Sequence, residues 1–276
     1  MCNFAIVKNV IKNGTKAVVL LLILLSCNLL QARNIRDTIG IGARILFSEN
    51  RGQWDSRVLF RSMMRTSTLF VERDCFTLVV QHPDNDNLKH FPCDYTQNGR
   101  YRQHAYRIRF EGSNADRIEG TDREAGYENY FIGRDRSRWA TGVEVFQSVV
   151  YHDLYPNIDL KVYTAANAMK YDFIVRPGAR PADITIGYEG IDGLRLKDGN
   201  LIVRTSVADI VEFRPYAYQM DGERQVEVKA RYRLKDNRVT LSTDSERTKS
   251  GYIPMPITGR KMEMETNNSR GPESKT

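Results

Sequence analysis

Val226-Glu227-Val228-Lys229-Ala230-Arg231-Tyr232-Arg233-Leu234 decides the fold class. The apolar residues Val226, Val228, Ala230, Tyr232 and Leu234 alternate with Glu227, Lys229, Arg231 and Arg233. A period of two puts one set against a core and the other in water, the pattern of a half-buried antiparallel strand. Tyr106, Ile108 and Phe110 alternate with Arg107 and Arg109 in the same way. No segment carries a 3.6-residue apolar stripe of helical length, so the chain reads as all-β.

The turns around that stretch agree. Asp198-Gly199 is a two-residue hairpin signal, because a type I′ turn needs positive φ at both centres. Centred there, the hairpin pairs Lys197 with Asn200, Leu196 with Leu201 and Leu194 with Val203, so its leucines share one face and turn and pattern fix one register. Asp236-Asn237 pairs Leu234 with Val239 and Tyr232 with Leu241. Asp221-Gly222 marks a third hairpin between about Phe213 and Ala230. Residues 184–241 are therefore expected to form an antiparallel meander.

The chain has 276 residues, 41% hydrophobic and 27% charged, which with 19 glycines is a globular composition and excludes global disorder. The longest apolar run, residues 17–25, has nine residues. That is half the ~18 needed to span a bilayer, so no membrane span is expected. Lys8, Lys12 and Lys16 precede this run and a polar stretch ending at Ala32 follows it. A positive segment, a short apolar segment and a small residue make residues 1–32 a secretory signal peptide, cleaved after Ala32. Leu24-Leu25-Ser26-Cys27 offers the alternative of a lipoprotein cut, with the protein anchored at Cys27. Export to the cell surface or the extracellular space is the expectation in either case. Without residues 1–32 the net charge falls from +7 to +4, with both signs interspersed. Nucleic-acid binding needs a clustered basic stripe and is not expected. The densest basic stretch, Arg134-Asp135-Arg136-Ser137-Arg138-Trp139, reads as a solvated turn.

Cys75 and Cys93 remain after the signal. In an exported chain such a pair is either a disulfide or two separate thiols. The disulfide closes an 18-residue loop, worth about 3 kcal/mol in the chain-entropy model. Residues 242–276 turn to Ser, Thr, Asn, Glu, Lys and Arg and read as a disordered tail, with Tyr252-Ile253-Pro254-Met255 as an apolar island. The domain organisation expected is signal 1–32, β domain 44–241 and tail 242–276.

Motifs of catalysis are absent from the sequence: no Gly-x-Ser-x-Gly, no His-Glu-x-x-His and no phosphate-binding Gly-x-x-x-x-Gly-Lys occurs. His82-Pro83-Asp84-Asn85-Asp86-Asn87-Leu88-Lys89-His90 has Leu88 and Lys89 where a calcium loop needs an oxygen ligand and a glycine, so it reads as a solvated loop. No metal or cofactor is expected. One carboxylate constellation stands out. If Leu160 faces Tyr171 across a hairpin, Asp159 lies opposite Asp172 and Lys161 opposite Lys170. Paired carboxylates do acid–base work when they share a site. The plainer reading is a checkerboard of charges, because no nucleophile or histidine is tied to the pair. Aromatic residues number 27. Tyr127, Tyr130, Phe131 and Trp139 cluster around one turn, with Tyr151, Tyr155 and Tyr163 after it, either as sugar-stacking surface rings or as core and cross-strand partners.

Five segments occur in an order that resembles a known domain. They are Phe47-Ser48-Glu49-Asn50-Arg51-Gly52-Gln53-Trp54; Asn129-Tyr130-Phe131-Ile132-Gly133 with Ser137 and Trp139; Tyr155-Pro156-Asn157-Ile158-Asp159-Leu160; Tyr171-Asp172-Phe173-Ile174-Val175; and Pro177-Gly178-Ala179. Together they resemble the uncharacterised N-terminal β domain of secreted Bacteroidota-type proteins, over residues 47–241. That domain commonly precedes β-propeller repeats and a sorting domain for type IX secretion. The resemblance implies export and a β-sandwich-like fold and carries no activity. Residues 242–276 do not continue it, so the chain is expected to be a truncated or stand-alone copy. The function expected is a non-catalytic surface module for interaction or assembly, with a protein or glycan at the cell surface as partner. Two alternatives are a carbohydrate-binding module using surface rings such as Trp139, and a hydrolase built on Asp159 and Asp172.

Overall fold

The computed structural model describes residues 45–85, 101–165, 168–221, 223–244 and 251–258. Eighteen strands occur among them. They are β1 (Phe47–Glu49), β2 (Val58–Met63), β3 (Ser67–Glu72), β4 (Cys75–Gln81), β5 (Gln103–Phe110), β6 (Arg117–Tyr130), β7 (Ala140–Tyr155), β8 (Ile158–Ala165), β9 (Ala168–Val175), β10 (Thr185–Glu189), β11 (Gly193–Lys197), β12 (Asn200–Arg204), β13 (Asp209–Glu212), β14 (Ala217–Asp221), β15 (Arg224–Val228), β16 (Ala230–Lys235), β17 (Arg238–Thr243) and β18 (Gly251–Thr258). No α-helix of seven or more residues is present among the described residues. The protein is all-β and its ladders are antiparallel, as the alternation predicts.

The long strand β7 joins two layers. β6 lines one edge of it. Along the other edge, Val145 and Phe146 pair with β1, and residues 148–155 pair with β8. One layer runs β6-β7-β8-β9-β18 and continues from β18 to β13 and to β14. The other runs β1-β2-β3-β4-β5-β10-β17-β16. The inward residues of β4, β5, β8 and β9 are Phe76, Leu78, Tyr106, Ile108, Phe110, Ile158, Leu160, Val162, Tyr171 and Phe173, and all are buried. Phe76 and Phe110 of one layer meet Tyr151, Tyr171 and Phe173 of the other edge to face, with ring centroids between 6.0 and 6.3 Å apart. Edge-to-face pairs of this kind add about 0.5–1.5 kcal/mol each beyond their buried area.

The two hairpins read most firmly from sequence take the expected registers. Leu194 pairs with Val203 and Leu196 with Leu201, around Asp198 and Gly199 at φ 52° and 80°. Leu234 pairs with Val239 and Tyr232 with Leu241. The third hairpin closes with Asp221 paired to Arg224, so it is centred one position after the expected centre.

The expected registry of the carboxylates is corrected. Leu160 faces Phe173, not Tyr171, and Lys161, not Asp159, faces Asp172. The last pair of the ladder is Ala165↔Ala168, so the hairpin is centred one residue later than the expected pairing requires, and that slides the register by two. A two-residue slide keeps the same apolar face inward, so alternation alone cannot tell the two registers apart.

The domain boundary read at Leu241 also moves. β17 runs to Thr243, and part of the expected tail is strand β18, paired with β9 over six residues from Gly251↔Val175 to Pro256↔Lys170. The apolar island at 252–255 was its signal. Pro254 and Pro256 are unfavourable inside a strand paired on both sides, because proline lacks the N–H a ladder needs. Both sit where β18 has a neighbour on one side only, between its pairings with β14 and β13. The expected signal peptide and the remainder of the expected tail lie outside the described residues.

Because β18 connects β9 to both β13 and β14, a chain ending at residue 250 is expected to lose at least about 3 kcal/mol of unfolding free energy, at roughly 1 kcal/mol net per lost ladder hydrogen bond. A chain ending at residue 258 is expected to unfold like the full one. Urea denaturation of the two truncations checks this.

Candidate interaction surface

The first and second of the five motif segments meet in space. In the β1–β2 loop the Asn50 side chain accepts from the backbone N–H of Gly52 and Trp54, at 3.0 and 3.2 Å, and donates to the carbonyls of Asp55 and Val58. Gln53 accepts from Arg51 N–H and donates to the Glu49 carbonyl, both at 2.7 Å. Gly52 takes φ 102°, a conformation that a side chain opposes. This wiring delivers Trp54 to Tyr130 at the end of β6, edge to face at 5.1 Å. The Arg61 guanidinium of β2 lies 4.3 Å from the Trp54 ring centre and 5.3 Å from that of Tyr130. Tyr130 donates to Glu128, which also accepts from Ser48 at 2.5 Å. Burial, and then the Glu128 carboxylate, push the Tyr130 hydroxyl above its ordinary value.

Past this clamp the β6–β7 hairpin is open to water. Residues 131–139 are all exposed. Tyr127 is 66% exposed, Phe131 61%, Ile132 40% and Trp139 38%. Phe131 and Trp139 touch edge to face at 5.2 Å with ring planes 77° apart. The Trp139 indole N–H donates to the Gly133 carbonyl at 3.3 Å, and Arg136 lies 5.3 Å from the Trp139 ring centre. Asp135 caps the single 3₁₀ turn Arg136–Arg138 by accepting from Ser137 N–H and Oγ–H, bonds that hold its carboxyl below its ordinary value. The aromatic cluster read from the sequence is therefore a surface feature over Tyr127, Phe131 and Trp139. The other three tyrosines are not. Tyr151 and Tyr155 are buried, with hydroxyls donated to the carbonyls of Glu72 and Thr185 at 2.5 and 2.9 Å. Tyr163 donates to Asp172.

The structure keeps Asp159 and Asp172 in separate settings. Asp159 accepts from Asp153 N–H at 2.8 Å and pairs with Arg176 at 3.1 Å. Arg176 also pairs with Asp153. Asp153 and Asn157 hold φ of 47° and 60°, so these groups fasten the tight β7–β8 turn. That accounts for the Tyr-Pro-Asn-Ile-Asp-Leu segment as turn construction. Asp172 accepts from the Tyr163 hydroxyl at 3.2 Å. Burial pushes its pKa up, against that hydrogen bond and the charges of Lys170 and Lys161. Cys75 opens β4 and is buried, and burial, then Glu72 and Asp74, push its thiol up to about 12. A thiol so held is a poor nucleophile. Cys93, its partner in the disulfide reading, lies outside the described residues. No group of three or more metal-ligating side chains occurs among the described residues.

Sequence reasoning missed one group. Glu212 of β13 is 1% exposed between the layers and accepts from Tyr188 at 2.8 Å and Tyr171 at 3.1 Å, both on Oε2. Its Oε1 and the Tyr106 hydroxyl have no partner among the described residues. Burial outweighs the two tyrosine hydrogen bonds and pushes the carboxyl up to about 7. The signal was present: Glu212 follows Ile210 on the inward side of Asp209-Ile210-Val211-Glu212. An open groove of about 460 Å³ lies nearby, lined in part by Leu196, Arg214, Tyr216, Lys229, Arg231 and Tyr232.

The family profile described as "Domain of unknown function (DUF7948)" matches residues 47–252. The chain belongs to the DUF7948 family. The matched span begins with β1 and ends inside β18, so a DUF7948 domain takes in both layers and the hairpin tip. Neither a curated protein nor a solved structure matches the chain.

The buried Glu212 makes stability depend on pH. The folded chain keeps a proton that the unfolded chain releases between the ordinary 4.5 and about 7. Stability therefore falls as pH rises through that window and levels off above it. Glu212→Gln is expected to flatten this decline and to exceed the parent above pH 7 by up to ~3 kcal/mol, at about 1.36 kcal/mol for each tenfold change in proton affinity. Urea midpoints of parent and variant between about pH 3.5 and pH 8, roughly one pH unit to either side of that window, check it.

Proposed function

We propose that this DUF7948 protein is a non-catalytic, exported surface module for interaction or assembly. The observation that carries the reading is the hairpin tip at residues 131–139, where large apolar side chains stand in water on a stable frame. Exposed apolar clusters of this kind mark contact surfaces. Two motif segments are used to brace and build that tip, while Tyr-Pro-Asn-Ile-Asp-Leu fastens a turn. The non-catalytic part of the reading draws on the carboxylates: Asp159 is neutralised by Arg176, and Asp172 faces Lys161. The signal-like residues 1–32 support export, to the cell surface or the medium, with anchoring at Cys27 as the alternative. The resemblance to secreted Bacteroidota-type proteins adds a setting beside propeller repeats and type IX secretion.

Carbohydrate binding through Trp139 is the second reading, favoured by the exposure of its ring. The 77° angle between Phe131 and Trp139 leaves no shared flat platform for a sugar, so assembly is preferred.

Binding of the protein to the envelope fraction of its producing cells is expected to weaken about tenfold or more in Phe131→Ala/Trp139→Ala, the range of hot-spot truncations. Equal binding by parent and variant contradicts the reading. Reproducible binding on a glycan array that Trp139→Ala removes establishes the second reading, and a turnover that Asp159→Asn abolishes establishes an enzyme.

A further inference from the structure

The chemistry of the tip narrows its partner. Phe131 and Ile132 are consecutive and exposed, and an aliphatic side chain beside the rings suits an acyl environment better than a sugar face. The Trp139 indole N–H is already bonded to Gly133, so its ring can leave water without stranding a donor. Arg134, Arg136 and Arg138 are exposed on the same nine residues, and no ion pair of theirs occurs among the described residues. The one acid of the tip, Asp135, is occupied in capping Ser137. Two apolar residues leading and three guanidinium groups behind them match the boundary of an anionic bilayer. Apolar groups enter the acyl region there, and arginines stay at the phosphates. The acids on the flanking strands are drawn away from the tip. Glu128 is held by Ser48 and Tyr130, and Glu144 pairs with Arg123.

We propose that residues 131–139 dock on an anionic phospholipid surface, with Phe131 and Ile132 inserted at the headgroup boundary and Arg134, Arg136 and Arg138 on lipid phosphates. This rests on the reading of the tip as the contact surface and names what it contacts. Since the whole segment is exposed, substitutions within it leave the two layers intact.

The test is co-sedimentation of the chain from Arg33 onward, which contains every described strand, with phosphatidylcholine vesicles with and without phosphatidylglycerol. Binding to the anionic vesicles alone is expected. It should fall as salt rises and be weakened about a hundredfold in Arg134→Gln/Arg136→Gln/Arg138→Gln, at about fivefold per arginine. Phe131→Ser/Ile132→Ser is expected to weaken it more than about tenfold through lost apolar insertion. Circular dichroism and urea midpoints matching the parent keep both variants interpretable. Absence of binding to anionic vesicles, or binding unchanged in both variants, overturns the proposal. If vesicles do not bind while envelope binding still depends on Phe131 and Trp139, the lipid assignment fails and the docking reading stands. If neither binds, both fail.

Discussion

Edge-to-face contact between Phe76 and Phe110 on one layer and Tyr151, Tyr171 and Phe173 on the other is the interaction on which the rest of the structure depends. Sheets present only one apolar face each, and two such faces are stable when they bury one another. Here five rings at the centre of that contact set the spacing and fix how β4 and β5 lie over β7 and β9. β7 belongs to both halves of the ladder, so holding Tyr151 also holds the strand whose other end supports the exposed hairpin. The chain thus carries a rigid joint at one end of β6–β7 and, beyond the Trp54–Arg61–Tyr130 clamp, an exposed tip at the other.

The interior also carries a cost. Glu212 sits among Tyr171 and Tyr188 with one oxygen unpartnered among the described residues, in a place where an apolar residue of the same size would suit the packing. Buried carboxyls raise their pKa to shed charge. The frame is therefore most comfortable in mildly acidic surroundings. The tip has the opposite character: Arg134, Arg136 and Arg138 stand in water there, with Asp135 held by Ser137.

Much of this was legible in the sequence, for reasons that differ by element. At Asp198-Gly199 the turn chemistry and the leucine pattern agree on one register, and the structure has it. At β8–β9 the same kind of pattern allowed two registers two residues apart, and the fold takes the one that closes at Ala165↔Ala168 and separates Asp159 from Asp172. β18 was hidden by the polar composition of residues 242–276 around its apolar island, and its Pro254 and Pro256 fit because the middle of the strand has a single neighbour. Glu212 could be read from Asp209-Ile210-Val211-Glu212 as an inward-facing position, but what lets a carboxylate stay buried there is two tyrosines 24 and 41 residues away. The Trp54–Arg61–Tyr130 clamp was beyond reach for the same reason: nothing local joins residue 54 to residue 130. The exposed cluster at residues 127–139 was visible as aromatic richness. Only the fold separates its surface rings from the buried Tyr151 and Tyr155.

Stability rests on the inter-layer rings and docking on the tip rings, and equilibrium unfolding in urea of Phe76→Ala beside Trp139→Ala tests that division most directly. Phe76→Ala is predicted to lose about 3–5 kcal/mol, the range for a large ring removed from a core. Trp139→Ala, an exposed position whose ring meets Phe131 and Arg136, is predicted to lose less than about 1 kcal/mol. Comparable losses in the two variants would contradict the division, because Trp139 would then be part of what holds the domain together and not a side chain kept in water for a partner.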